Sequence, residues 1–290
     1  MKKLSADEIE RWITLDNGVH VPIKKGETEA DAIKRLGTFL DTTISNDIST
    51  DYKHTKMVSG GQLDKLPKKV IQATTSTIAQ LNANFPKIAK FIDESNCALT
   101  VTTDSNLVND ITPMATQSGL DWKHNTLKVD NLFLNANNDS LSSLKSMKTS
   151  VKDSCTKGFY MPCAPDNYQS YLIAHEYGHI VQTYLMRDRH DWKNLAKTSK
   201  SKSQPEKYQE AIKDTYKEMY KELVKVGKKS GYITDYEKSV DNVSLYALSK
   251  AGQGDLSEVF AESFANMVCG SPNEWGKTME AYLKEKGVLK

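Results

Sequence analysis

The sequence predicts an α+β protein in which helices predominate and a few short strands form a small twisted sheet. Two observations lead to this class. Residues 66–93 and 205–227 carry apolar side chains at helical spacing. Residues 98–103 and 127–134 are short runs rich in β-branched and aliphatic side chains, which are typical of strands. At 290 residues, the chain is long enough for one large or two modest domains.

Residues 1–45 are predicted to form a module of their own. Residues 12–15 and 19–23 flank the sequence Asp-Asn-Gly, and Asn-Gly is a preferred two-residue turn between hairpin strands. Residues 27–40 then show the apolar spacing of a helix. The following polar segment, 41–62, marks a domain boundary, so the second domain is expected to span 62–290.

This module resembles the tail segment of phage minor head proteins of the Mu F-like family. The resemblance lies in the WITLDNGVHVPI hairpin and the ETEADAIKRL helix, and it covers about the first 40 residues. It implies that the protein is associated with a phage or a phage-like particle. A small αβ cap on the second domain is the alternative interpretation.

Residues 167–185, NYQSYLIAHEYGHIVQTYL, predict a buried helix that carries an HExxH motif. At about 100° per residue, His175 and His179 can present both imidazoles to one metal ion. In this arrangement Glu176 is not a ligand, and it takes a proton from the metal-bound water. Polar groups inside an apolar helix cost free energy unless something binds them, which Zn²⁺ would do. Chance occurrence of the short motif is the alternative. Gly178, a poor helix former, suggests close packing against a neighbouring backbone.

A catalytic zinc site needs a third protein ligand and one open position. The metzincin pattern is excluded, because Leu185 occupies the position where that class has a histidine. Residues 257–265, SEVFAESFA, place Glu258 and Glu262 on one face of a helix, where they can act as a ligand and as a partner of a ligating histidine. An exposed acidic pair is the alternative. His190 is a further candidate ligand, although its charged surroundings favour a solvated surface histidine.

HEYGH followed by an ExFAExFA helix resembles the gluzincins related to the anthrax-toxin lethal factor catalytic domain and the proline-specific endopeptidases like it. The resemblance covers roughly residues 157–269. It implies a zincin-like metallopeptidase domain with Zn²⁺ bound by His175, His179 and Glu258. It also implies Glu176 as the catalytic residue and Glu262 as the glutamate one turn after the ligand.

The same families place a tyrosine before the ligand helix, where its hydroxyl stabilises the oxyanion. Tyr246, in VSLYALS, matches by its motif. It stands 12 residues before Glu258, which is longer than usual, so Tyr232 and Tyr236 remain alternatives. The 79-residue gap between His179 and Glu258 is also long, and the charged helix predicted from 205 explains it as an insertion on the surface.

A third strand is predicted at residues 157–161, KGFYM, immediately before the HExxH helix. An unpaired edge strand can bind an extended peptide by strand addition. The segment KGFYMPC is therefore a candidate for such an edge, with an interior strand as the alternative.

Composition excludes several classes of protein and partner. Lys and Arg total 39 against 37 Asp and Glu, which argues against a nucleic-acid-binding surface. No apolar run approaches the ~18 residues of a membrane span, and no Sec-type signal is evident. The four cysteines include no CxxC pair, so reduced thiols are expected, with a Cys155–Cys163 disulfide as an alternative after export. We expect a soluble protein that is cytoplasmic or virion-associated and is delivered to a target cell if it is an effector.

Taken together, these patterns predict a zinc endopeptidase that acts on a protein or peptide substrate, as a phage-associated or effector protein. The alternative is a catalytically inert zincin-fold protein that has a structural or binding role in a phage particle. Glu176 separates the two hypotheses, since an intact HExxH glutamate weighs against the inert one.

Overall fold

The chain divides into two compact units, Met1–Lys53 and His54–Lys290. The computed structural model describes residues 9–14, 20–28, 56–57, 65–109, 111–197 and 206–289. The described residues combine many helices with a small sheet, so the predicted α+β class is confirmed. No helix among them has the length and apolar character needed to cross a membrane.

The first unit contains an antiparallel strand pair. Strands β1 (Ile9–Thr14) and β2 (His20–Lys24) are in register, with Thr14 opposite His20. The two strands of the predicted hairpin are therefore confirmed. The Asp-Asn-Gly turn and most of the helix predicted over 27–40 lie outside the described residues. The resemblance to phage head proteins stays a prediction.

The second unit contains one sheet, with strand order β3-β4-β6-β5. Its strands are β3 (Lys56–Met57), β4 (Ala98–Thr102), β5 (Met114–Asp121) and β6 (Thr126–Asn135). β4 is parallel to β6, whereas β5 and β6 form an antiparallel hairpin. The strands predicted at 98–103 and 127–134 are confirmed. β5, which the sequence analysis missed, is an outer strand of this sheet.

The strand predicted at 157–161 is wrong. The segment follows a helix, and Gly158 turns the chain with a φ of 71°. The backbone N–H groups of Phe159 and Tyr160 donate to the carbonyl of Ser154 at the end of that helix. These bonds close a helix end, so the segment is not available for pairing with a strand. KGFYMPC is consequently not an edge strand.

Helices make up most of the second unit. They are α1 (Lys68–Asn84), α2 (Pro86–Glu94), α3 (Leu144–Thr156), α4 (Tyr171–Met186), α5 (Trp192–Lys197), α6 (Glu206–Lys229), α7 (Tyr236–Val240), α8 (Leu245–Gly252), α9 (Ser257–Val268) and α10 (Glu274–Glu285). Within the helical segment predicted at 66–93, Pro86 begins a new helix and separates α1 from α2, as expected for a proline at the first position of a helix. The long charged helix predicted from residue 205 is confirmed as α6.

α4, the HExxH helix, lies in the core of the second unit. It packs against α1, α2 and α9 and against strands β5 and β6. Nearly all of its residues are buried, which agrees with its apolar composition. A Cβ atom on Gly178 would lie only 2.9 Å from the Cα of Ala261 in α9. The close approach predicted from Gly178 is therefore confirmed, and it brings the two motif helices together.

Candidate metal centre

Three side chains from the two motif helices converge on one point. His175 and His179 lie one turn apart on α4, and Glu258 faces them from the first turn of α9. Glu258 Oε2 lies 3.0 Å from His175 Nε2 and 3.5 Å from His179 Nε2. Each of the three side chains has a potential ligand atom, and these three atoms lie within 4.8 Å of one another. Tetrahedral zinc with bonds of 2.0–2.2 Å would separate its ligand atoms by roughly 3.3 Å, so this spacing fits a metal ion.

Glu262 holds the ring of His175 in place. Its side chain is fully buried, and its Oε1 accepts a hydrogen bond from His175 Nδ1 at 2.9 Å. Its Oε2 accepts hydrogen bonds from Tyr171 Oη and from the backbone N–H of Met161, both at 2.9 Å. Because Nδ1 donates to Glu262, Nε2 of His175 is the nitrogen that remains available to a metal. Sequence analysis assigned Glu262 to this supporting position, and the contact is now visible.

Glu258 Oε2 is buried and has no hydrogen-bond donor among the described residues. Its 3.0 Å contact with His175 Nε2 lacks the geometry of a hydrogen bond. A buried carboxylate oxygen without a donor costs free energy, and a cation shared with the two imidazoles would remove that cost. The unsatisfied atom therefore supports a metal at this point.

The charges around the site favour a positive charge between the three side chains. Burial alone would lower the pKa of His175, but the Glu258 and Glu262 carboxylates beside the ring raise that pKa well above its usual value. Burial would raise the pKa of Glu258, yet His179 and His175 hold it below its usual range. A metal ion bound between these side chains would supply that positive charge, because ligating imidazoles must be neutral.

Glu176 lines the same cavity beside the ligand histidines and is nearly buried. Its backbone carbonyl accepts a hydrogen bond from Thr116 Oγ1 of strand β5 at 3.0 Å. About two turns further along α4, Thr183 Oγ1 lies 2.7 Å from Ser118 Oγ of the same strand. These two contacts attach the outer strand of the sheet to the helix that carries Glu176.

Tyr246 reaches the site from α8. Its hydroxyl donates to Glu258 Oε1 at 3.1 Å and lines the cavity. Burial and the Glu258 charge raise the pKa of Tyr246, so its hydroxyl stays protonated and able to donate. The backbone N–H of Tyr246 donates to Phe159 O at 3.1 Å. The turn that replaces the predicted strand thus helps to position this tyrosine.

The alternative residues lie elsewhere. Tyr232 and Tyr236 are exposed, and Tyr236 Oη lies 2.7 Å from Tyr220 Oη. His190 Nε2 lies 2.9 Å from Thr215 Oγ1. None of the three candidates lines the cavity at the site. His190 is half-buried.

The four cysteines are free thiols. Cys155 Sγ donates to the backbone carbonyl of Met161 at 3.3 Å and is not bonded to Cys163. The alternative of a Cys155–Cys163 disulfide does not apply to this structure.

A cavity of about 400 Å³ opens onto the three candidate ligands. Two of its walls were not predicted from the sequence. One is strand β5, including Met114 and Thr116, whose sequence MATQSGLD shows no apolar alternation. The other is the first half of α6, including Tyr208 and Ile212. The apolar stripe of α6 was visible in the sequence, but it gave no indication that it faces a cavity.

Comparison with known proteins gave no assignment: no protein-family model, no curated protein and no solved structure matches this chain.

Proposed function

We propose that the protein is a zinc-dependent endopeptidase of the gluzincin type, which hydrolyses a peptide bond in a protein substrate. One observation carries the proposal. His175, His179 and Glu258 converge on one point, and Glu176 lines the same cavity. A site with these three ligands and an adjacent carboxylate is typical of metal-assisted hydrolysis.

The donor set favours zinc over other common metals. Two imidazoles and one carboxylate, with space for a further ligand, are typical of catalytic Zn²⁺. Mg²⁺ and Ca²⁺ prefer oxygen ligands throughout. His175, His179 and Glu258 would hold the ion, and Glu262 would hold His175.

The residues around the site have separate roles in this mechanism. When bound, zinc polarises the scissile carbonyl and activates water for attack. Glu176 takes a proton from the attacking water and later delivers one to the departing amine. The protonated hydroxyl of Tyr246 turns from Glu258 to the developing oxyanion. Glu262 maintains the orientation of His175 throughout.

Strand β5 offers a binding surface for an extended peptide. Among the described strands it lies at one edge of the sheet, and its residues Met114, Ala115, Thr116 and Ser118 line the cavity. A substrate can pair with such an edge by strand addition, which recognises the peptide backbone and not its sequence. The role that the sequence analysis assigned to KGFYMPC therefore passes to β5 in this proposal.

We also propose that the protein is phage-associated or a delivered effector. Support for this part comes from the hairpin sequence of the first unit alone. Mass spectrometry of purified phage particles from the source strain would test it.

The catalytic proposal is tested by metal analysis together with proteolysis of a peptide library. We expect about one zinc per chain in the intact protein and in His190→Ala, and loss of zinc in His175→Ala. Peptide cleavage should stop on chelation and return when zinc is added. Proteolysis that resists chelation would contradict the proposal. Zinc binding without any proteolysis would favour the inert alternative.

A further inference from the structure

The cavity continues beyond the candidate metal centre along one face of α4. After His179, the residues of α4 that line it are Gln182, Thr183 and Met186. At 1.5 Å per residue, Met186 lies about 10 Å along the helix from His179. The cavity is therefore a cleft with a polar end at the metal ligands and a second end near Met186.

Aromatic and aliphatic side chains contribute to the second end, and α6 forms one of its walls. Tyr208, Ile212 and Tyr216 stand four residues apart on α6, which places them on the same face of the helix. Met114 and Leu127 from the sheet line the cavity as well. The first half of α6 is anchored beside the cleft, since the ring of Tyr208 packs edge-on against Trp192 at a centroid distance of 5.8 Å.

The apolar stripe of α6 has two different environments along its length. Met219 and Leu223, in the second half, are each only 1% exposed and belong to the core. Tyr208 and Ile212, in the first half, are only partly buried and line the cavity. A stripe that served only to pack the helix would be covered along its whole length. Among the described residues, none covers this first half as the core covers the second, so Tyr208 and Ile212 face the cavity.

Among the described residues, no charged side chain lines this part of the cleft. The acidic and basic side chains among the described residues that line the cavity all lie at the metal end. They are His175, Glu176, His179 and Glu258. Burial raises the pKa of both Tyr208 and Tyr216, so their phenols stay neutral. A charged substrate side chain would lose its hydration here without gaining a partner.

We propose that α6 is the specificity wall of the cleft, and that Tyr208 and Ile212 select a large, uncharged apolar or aromatic side chain next to the scissile bond. This inference rests on the proposed peptidase function and extends it to the class of substrate. Strand β5 would bind the peptide backbone, whereas α6 would choose among side chains. A helix that the sequence analysis placed on the surface as an insertion thereby becomes the main determinant of specificity.

The first test measures binding without turnover. Peptide hydroxamates bind zinc, and a series that differs only in a Gly, Leu, Phe or Glu side chain can be titrated into the zinc-loaded full-length protein by calorimetry. We expect Leu and Phe to bind about 10- to 200-fold more tightly than Gly, the range typical of filling an apolar pocket, and Glu to bind no better than Gly.

The second test changes the wall. Ile212→Trp should narrow the cleft and remove the preference for Leu and Phe over Gly, and Ile212→Ala should favour Phe over Leu. Val224→Ala is the matched control, because Val224 is a half-buried β-branched residue on the same helix that does not line the cavity. The control should keep the wild-type order of affinities. Cleavage of a randomised peptide mixture, with sequencing of the products, should show the same shifts beside the cleaved bond.

The outcomes separate this inference from the proposed function. If the zinc-loaded protein cleaves peptides but binds all four hydroxamates with equal affinity, only the proposal that α6 determines specificity is overturned. The same conclusion follows if Ile212→Trp, with its zinc content and melting temperature unchanged, keeps the wild-type preference. A protein that neither binds hydroxamates nor cleaves peptides would overturn both.

Discussion

Two clusters of charged side chains stabilise their charges in different ways. At the candidate metal centre, Glu258 Oε2 is buried and lacks a hydrogen-bond donor among the described residues. In the second cluster, Glu222 of α6 receives hydrogen bonds from Arg189 to both oxygens, at 3.1 and 3.0 Å. Tyr282 Oη and Lys286 Nζ also lie 2.9 and 2.8 Å from Glu222 Oε2. The second cluster is satisfied by partners within the described residues, whereas the first is a group that could hold a metal ion.

The comparison shows why a shifted pKa alone does not identify a functional site. Burial opposes ionisation in both glutamates, and neighbouring cationic groups nonetheless lower the pKa of each. The shifts have the same direction, yet only Glu258 is left with an unsatisfied oxygen in a cavity. We therefore infer a structural role for the Glu222 cluster and a binding role for the Glu258 cluster.

The largest effect is expected from Glu176→Gln. This change removes the proposed base but no ligand, so turnover should fall by about 10² to 10⁴-fold while zinc stays bound. Steady-state kinetics with a cleaved library peptide and metal analysis of the same sample would measure both quantities. Full activity in the variant, or loss of its zinc, would show that the role given to Glu176 is wrong.

Substitution of the two glutamates on α9 tests the comparison within one helix. Glu258→Ala should lose most of the zinc, because it removes a ligand. Glu262→Ala should weaken zinc affinity by the ~10- to 100-fold that is typical of residues supporting a ligand. Zinc content after dialysis, followed by titration with a competing chelator, gives the order of the two effects.

If Glu262→Ala loses its zinc and Glu258→Ala retains it, Glu262 is the ligand and Glu258 supports a ligand. Glu222→Gln is the control, since it alters the complete cluster and leaves the metal ligands in place. It should retain wild-type zinc content. A variant of Glu222 that loses zinc would contradict the division into a structural and a binding cluster.

The packing of α4 against α9 predicts a loss of stability in Gly178→Ala. The added methyl would meet the backbone of Ala261 at 2.9 Å, so the helices must separate. Overpacking of this kind costs about 1–3 kcal/mol of the free energy of unfolding. Gly252→Ala is the matched control, because Gly252 ends α8 with no atom within 4 Å of a new Cβ. In urea denaturation, Gly252→Ala should leave the free energy of unfolding unchanged or raise it. An equal loss of stability in both variants would rule out close packing as the cause.

The parts of the site that could be predicted from sequence depend on local spacing. The i, i+4 spacing of His175 and His179, and of Glu258 and Glu262, fixes each pair on one helical face wherever the helix packs. Spacing within one helix says nothing about its neighbours, so the meeting of the two helices was expected only from the resemblance. Gly178 indicated a close neighbour but not which one.

The parts that sequence could not predict depend on contacts with distant segments. Strand β5 has little strand character of its own and is defined by its pairing with β6. Residues 157–161 look like a strand, but Gly158 and the end of α3 turn them into a loop. The stripe on α6 is visible as a period, yet a period does not distinguish a core from a cavity.

The smallest expected effect concerns the complete cluster and its response to pH. Arg189, Lys286 and Tyr282 lower the pKa of Glu222 to about 2 against the effect of burial, compared with 4.5 for an ordinary glutamate. A carboxyl whose pKa is lower in the folded state stabilises the fold fully above about 4.5. That stabilisation is lost as the pH falls from about 4.5 towards about 2. Since the Glu222 side chain is 35% exposed, solvent screening should limit the contribution to about 1 kcal/mol.

Urea denaturation of the wild type and of Glu222→Gln, at pH 7 and at low pH, would measure this contribution to the free energy of unfolding. The stability difference between the two proteins should shrink as the pH is lowered. A difference that stays constant would mean that Glu222 contributes through packing and not through its charge.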